Sequence, residues 1–192
     1  MTTTESPSQA VPATFAIAEM SGGTMFTNQV LYLVGELGIA DRLIDGPRSA
    51  EQLAAALSAH APSLYRVLRA AAMLGLLTED NDGTFALTPL GEALRSDSPG
   101  SARWLAVFHG APWHWQAWAG MVESVRTGRP SIEIVTGQPV FAYFASHPEQ
   151  AEQFNLAMNA YSEYEAAAVV EAYDFSALRR IVDVGGGQGL LL

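Results

Sequence analysis

The chain has 192 residues, with 20 acidic residues against 10 basic ones, all arginine, for a formal net charge of −10; 49% of its residues are hydrophobic. This composition excludes a disordered chain, allows one large domain or one and a half, and disfavours a nucleic-acid partner because the arginines are scattered rather than clustered. The absence of cysteine excludes disulfides, thiolate metal sites and a cysteine nucleophile, and fits a cytoplasmic location. Met1 to Met20 lacks the basic start and long apolar core of a signal peptide. No apolar run approaches the roughly 18 residues of a membrane span.

Residues 1–20 are rich in Thr, Ser, Pro and Ala and read as a flexible N-terminus. From Thr24, the spacing of Phe26, Val30, Leu33, Leu37 and Ala40 predicts a helix that Gly46-Pro47 ends. Ser49, with Gln52 three residues on, forms a capping box that opens a second helix with Leu53, Ala56 and Leu57 on its apolar face. Pro62 starts a third, with a stripe of Leu64, Val67, Leu68, Ala71 and Leu74, and Gly75 stops it. Leu76-Leu77-Thr78 and Thr84-Phe85-Ala86-Leu87 flank Asp80-Asn81-Asp82-Gly83, the pattern of a β-hairpin. Thr88-Pro89 begins another short helix.

Three helices and a hairpin in this order make a winged helix-turn-helix, a module that often binds DNA. Its third helix offers Ser63, Tyr65, Arg66 and Arg69 to a duplex, but the wing carries Glu79, Asp80 and Asp82. Carboxylates at the wing tip would face phosphates and be repelled, so charge argues against DNA.

All four tryptophans fall between Trp104 and Trp118. Pro112 separates two helices there. Trp115, Trp118, Val122 and Val125 form a stripe on the second, which runs to Thr127 and stops at Gly128; packing in a core or an interface is the default reading of such a stripe. Residues 129–145 read as a looser segment. Ser146 and Glu149 then form a second capping box for a long helix ending near Ala172.

Chemistry concentrates at the end of the chain. Ile181-Val182-Asp183-Val184 reads as a buried strand, Gly185-Gly186-Gly187-Gln188-Gly189 as a glycine turn, and Leu190 to Leu192 as a helix start. Together they compose the first βα turn of a nucleotide-binding α/β domain, where glycines let backbone approach a ligand and helix-start amides face it. Asp183, an acid in an apolar run, either orients the turn through backbone amides or meets a cationic group of the ligand.

These segments, taken in order, resemble the S-adenosylmethionine-dependent O-methyltransferases of the plant caffeate type and their bacterial relatives acting on polyketides and other natural products. The resemblance is carried by Leu64 to Arg69 with Leu74 to Leu77, by Phe85 to Gly91, by Val125 to Pro130, by Phe154 to Met158, and by Tyr173 to Ser176 followed by Ile181 to Gly189. It implies a mainly α chain: a winged-helix dimerisation domain at 21–98, a helical substrate-facing segment at 99–175, and the truncated start of a Rossmann-like α/β methyltransferase domain at 176–192. It also implies that the winged helix intertwines two subunits into a homodimer rather than binding DNA. Asp183, Gly185, Gly187 and Gly189 match the family's S-adenosyl-L-methionine loop, and Ser162 a position beside the cofactor. Phe154 and Met158, which spacing alone would assign to the core, match positions lining the pocket of a small hydroxylated acceptor. Trp113 and His109 lie near a segment that contributes to that pocket.

The family's catalytic base is a downstream histidine that takes the acceptor's proton. His60, His109, His114 and His147 match no such position, so the base is expected beyond Leu192. A metal site from His109 and His114 is disfavoured because Pro112 lies between them and no acid flanks them. The 192 residues thus read as an N-terminal portion, inactive alone, whose missing half lies on a continuing frame or a separate chain. Two other readings stay open: a cofactor-binding relative that hydroxylates or decarboxylates, and a winged-helix regulator.

Overall fold

The computed structural model describes residues 12–190. Helix α1 (Ala13–Ala18) runs through a single π turn (Glu19–Gly23) into α2 (Thr24–Glu36). The chain is therefore helical from Ala13, not loose to residue 20; residues 1–11 lie outside the described part. Helix α2 also stops well before Gly46. Gly38 takes φ +59, the Gly38 N–H bonds to the Gly35 carbonyl and the Ile39 N–H to the Val34 carbonyl, which closes the helix in a Schellman turn. A 3₁₀ turn (Ala40–Leu43) follows.

Strand β1 (Arg48–Ser49) leads into α3 (Ala50–Leu57). The Ser49 hydroxyl accepts from the Gln52 N–H, and the Ser49 N–H donates to Gln52 Oε1 at 2.8 Å, so the capping box forms. Leu53 and Ala54 are buried on α3; Ala56, expected on the apolar face, is exposed. Helix α4 (Ala61–Met73) buries Leu64, Leu68 and Ala71 and ends at Gly75, φ +76. Strands β2 (Leu77–Glu79) and β3 (Thr84–Leu87) pair antiparallel with Leu77 opposite Leu87, and β1 joins the free edge of β3, giving the order β1-β3-β2. Asp80 holds the turn by accepting from the N–H groups of Asp82 and Thr84. Thr88 caps α5 (Pro89–Glu92). Phe85, Ile39, Leu53 and Leu68 are wholly enclosed at the centre, each stabilising the fold by about 1.5–3 kcal/mol relative to exposure.

The second half is helical throughout its ordered elements: α6 (Arg103–Gly110), α7 (Pro112–Ala119), α8 (Met121–Thr127), α9 (Ser131–Thr136), α10 (Val140–Ser146) and α11 (Pro148–Ala172). Trp118, Val122 and Val125 of the tryptophan stripe are 60%, 64% and 81% exposed, which leaves an interface as the place for them. Three expectations change here. The tryptophan helix breaks at Gly120, so α7 and α8 are separate. The segment 129–145, expected to be loose, holds α9 and α10. The Ser146–Glu149 box does not form, because the Ser146 hydroxyl donates back to the Tyr143 carbonyl at 2.9 Å and His147 precedes Pro148 at the start of α11.

Residues 181–184 are not a strand. Val182 and Val184 are 73% and 92% exposed, and among the described residues no strand lies beside them to take their backbone hydrogen bonds. Leu190 sits in a turn; Leu191 and Leu192, the rest of the expected helix start, lie outside the described residues.

Helix α6 joins the halves by packing against both α2 and α11. A Cβ on Gly35 would lie 3.1 Å from Val107 and 3.2 Å from the Arg103 carbonyl, and one on Gly110 would collide with Tyr32 Cβ. Arg103 locks the same contact: Nε donates to the Gly35 carbonyl at 2.9 Å and Nη1 to Asp41 Oδ2 at 2.7 Å, while Asp41 Oδ1 accepts from Ser96 N. Gly110→Ala should cost about 1–3 kcal/mol or more, because Tyr32 Cβ is fixed to its backbone and cannot yield, which outweighs the roughly 1 kcal/mol gain in helix propensity. Equilibrium denaturation in urea measures this; an unchanged midpoint would show that the helices part without cost.

Candidate functional site

Helix α11 and the glycine turn face each other across a cavity of about 500 Å³. On α11, Phe154, Asn155, Met158, Asn159 and Ser162 recur at one, three and four residues, so they share a face. Glu165 and Ala166 extend it one turn further, and Phe141 of α10 closes one side. The opposite wall is Asp183, Gly185, Gly186, Gly187 and Gln188.

The turn is shaped by its glycines. Gly185, Gly187 and Gly189 have φ of +79°, +58° and +79°, a region that penalises side chains, and they alternate with residues of ordinary φ. Such alternation curls successive N–H groups toward one side, as anion-binding nests do. A Cβ on Gly185 or Gly187 would meet nothing within 4 Å, so both leave open space beside the backbone. Gly186 is constrained differently: its Cα lies against the Asp183 carboxylate, which any side chain there would displace.

Asp183 Oδ2 is enclosed and has no hydrogen-bond partner. A buried carboxylate oxygen without a donor is costly, and this one lines the cavity, so it fits a ligand that brings a cation or a donor. Glu165 adds a second carboxyl. Asp183, Gly185, Gly187, Ser162, Phe154 and Met158 thus meet in one cavity, in a chain whose sequence spreads them over 34 positions.

The other three candidates stand elsewhere. Gly189 does not line the cavity; its N–H closes the turn on the Gly186 carbonyl at 2.8 Å. Trp113 packs behind the wall, 5.7 Å from Phe108 and 5.5 Å from Phe144 between ring centroids, and both phenylalanines in turn meet Phe154. His109 bonds Tyr161 Oη at 3.0 Å and borders a separate apolar groove with Met25, Trp115 and Trp118. Neither touches the cavity, because α6 and α7 present these rings to each other and to α2. The helical period from Phe154 and Met158 could have found Asn155 and Asn159; nothing in the sequence marks Phe141, which reaches the cavity from another helix.

Among the described residues, no three His, Asp or Glu side chains are placed to hold a metal. None of the four histidines lines the cavity. On the winged helix, Arg69 pairs with Glu79 at 2.9 Å and Tyr65 Oη donates to the same carboxylate, so one cation of α4 is spent on one acid of the wing.

Two family models match the chain: the O-methyltransferase dimerisation domain over residues 19–97 and the O-methyltransferase domain over residues 118–192. The chain belongs to the O-methyltransferase family. A phenazine O-methyltransferase of Lysobacter antibioticus is 43% identical over 183 residues, 95% of this chain and 53% of that protein. An 8-amino-8-demethylriboflavin N,N-dimethyltransferase of Streptomyces davaonensis is 38% identical, covering 85% of this chain and 48% of that one. The crystal structure of human N-acetylserotonin methyltransferase in complex with S-adenosylmethionine superposes with a TM-score of 0.85 at 26% identity, over 97% of this chain and 56% of that one. The chain therefore spans about half the length of the relatives it matches.

The histidines beside this site give it a pH signature. Burial holds His114 below the ordinary imidazole value of about 6.5, with nearby His109 adding to the effect, and burial lowers His109 too. The folded chain therefore binds fewer protons than the unfolded one below about pH 6.5. The stability that neutral rings supply is fully present above that pH and is lost as pH falls through the lowered folded values. The His114 ring stacks on Phe108 at 4.4 Å and its Nδ1 has no partner, so phenylalanine can replace it. His114→Phe is expected to flatten the fall in Tm between about pH 7 and about pH 5; an unaltered slope in thermal denaturation would assign the proton uptake to other groups.

Proposed function

We propose that the protein acts as an S-adenosylmethionine-dependent methyltransferase on a hydroxyl of a small aromatic or polyketide natural product. The observation that carries this is the cavity between α11 and the glycine turn: an acid and open backbone on one wall, an aromatic ring and a thioether on the other. The fit to the cofactor rests on the unpartnered Asp183 oxygen, which suits a ligand carrying cationic and donor groups, and on the open space beside Gly185 and Gly187. When bound, the cofactor supplies an electrophilic methyl on a sulfonium. Asp183 and the turn amides would hold it, with Ser162 beside it. Phe154 and Met158 would press the acceptor ring into line, and positioning of that kind supplies much of the rate of a two-substrate transfer. The acceptor's hydroxyl proton would pass to a base carried outside these 192 residues. That base and the remaining cavity wall belong to the part of the relatives' length not spanned here, on the same polypeptide or on a separate chain.

Titrating S-adenosylmethionine into protein expressed from its complete reading frame should give a micromolar dissociation constant, and Gly187→Val should abolish it, since valine at φ +58° is strained and fills the approach to the backbone. Absence of binding in the unsubstituted protein would sink the proposal. Residues 1–192 by themselves should bind more weakly than about 1 mM, because among the described residues no strand stands behind the turn.

The same reading makes the protein a homodimer. Phe15, Ile17, Met20 and Phe26 on α1, α2 and the π turn between them, and Trp118, Val122 and Val125 on α7 and α8, are all 60% exposed or more. An apolar surface of this kind suits a second copy of the chain. Sedimentation should give a dimer at micromolar concentration, shifted toward monomer by Phe26→Glu with Val125→Glu. A stable monomer of the unsubstituted chain would count against it.

A further inference from the structure

The glycine turn is tied to α11 at one point. Asn159 Nδ2 donates to Gln188 Oε1 at 2.6 Å, across the cavity that both residues line. Among the described residues, no other side-chain hydrogen bond joins residues 174–190 to a helix. Both partners are placed for consequence. Asn159 follows Met158 on the helix that bears the acceptor wall, and Gln188 lies between Gly187 and Gly189 in the cofactor wall. Among the described residues no strand pairs with the turn, and Val182 and Val184 beside it are exposed, so this bond is its one side-chain tie to α11.

We infer that Asn159 is a positioning residue: by holding Gln188 it sets the spacing between the glycine turn and the helix face of Phe154 and Met158. The functional weight of that spacing rests on the proposed methyl transfer, where it becomes the distance between the methyl donor and the acceptor oxygen. Spacing errors of about 1 Å lower such rates by about 100-fold. The bond itself needs no ligand, so it can be read in the free protein.

The pair has a chemical signature that separates a tie from general damage. Asn159→Asp keeps a bond, because the Gln188 amide turns to donate to the new carboxylate. Gln188→Glu keeps it too, because Asn159 donates to the carboxylate as before. Combining them sets two acceptors against each other and removes it. Amide exchange of Gly189, whose N–H bonds to the Gly186 carbonyl, can be followed by NMR in the 192-residue chain without cofactor. Asn159→Ala and the Asp/Glu double variant should each speed that exchange about 5-fold, the loss of one ordinary hydrogen bond, while each single acid stays near the original rate. Tm should stay unchanged in all four, since the turn stands outside the core. Exchange unaffected by Asn159→Ala, or single acids as fast as the double, would overturn the inference. Failure of S-adenosylmethionine to bind would overturn only the proposed function, because Gly189 exchange is measured without it.

Discussion

The contact of α2 with α6 is the constraint on which the rest of the molecule depends. The two helices approach so closely that Gly110 has no room for a methyl group and Gly35 could take one only if its neighbours gave way, and Arg103 closes the contact with hydrogen bonds to a helix-end carbonyl and to Asp41. The other neighbour of α6 is α11, so the placement of α2 against α6 also sets where Phe154 and Met158 stand relative to the winged helix. Side chains with polar groups reinforce the junction: Trp115 Nε1 donates to Asn28 on α2 and to the His109 carbonyl on α6. The two halves are thus joined through the close packing of α2 on α6, a guanidinium and an indole.

The winged helix was legible in the sequence because its signals are local. Ser49 with Gln52, Pro62, Gly75 and the Asp80-to-Gly83 turn each act within a few residues, and each forms as expected. The failures have the opposite character. Gly38 reads as one more residue in a helix until its φ of +59° ends α2 eight residues early. Gly120 divides the tryptophan helix in the middle of its apolar stripe, and α9 packs so close to it that a side chain there would meet Ser131. Ser146 prefers the carbonyls behind it to the amides ahead. The strand at 181–184 is missing for the plainest reason: a strand is a property of two segments, and its sequence describes one.

Much the same division runs through the site. Its glycines and Asp183 were marked by their own motif, and Phe154, Met158 and Ser162 by the family resemblance. Gly186 escaped notice because its constraint comes from the Asp183 carboxylate folding back over it, three residues away in sequence but touching in space. His109 and Trp113, which the family resemblance sets near the acceptor pocket, do not line this cavity, and Phe108 packs between Trp113 and Phe154. The acidity of the chain acquires a use here. A cavity walled by Asp183 and Glu165, within a chain of net charge −10, presents a negative field to any cationic cofactor approaching from solution.

The exposed apolar helix at the start of the chain has a temporal side. Protein synthesis is vectorial, so Phe15, Ile17, Met20 and Phe26 leave the ribosome long before Gly185 to Gly189 are joined to the chain. At about 5–20 residues per second, roughly ten to thirty seconds separate the two events. Throughout that interval the helix presents its apolar side to the surroundings while the glycine turn does not yet exist. An apolar face exposed for that long is open to any apolar surface it meets, chaperones included.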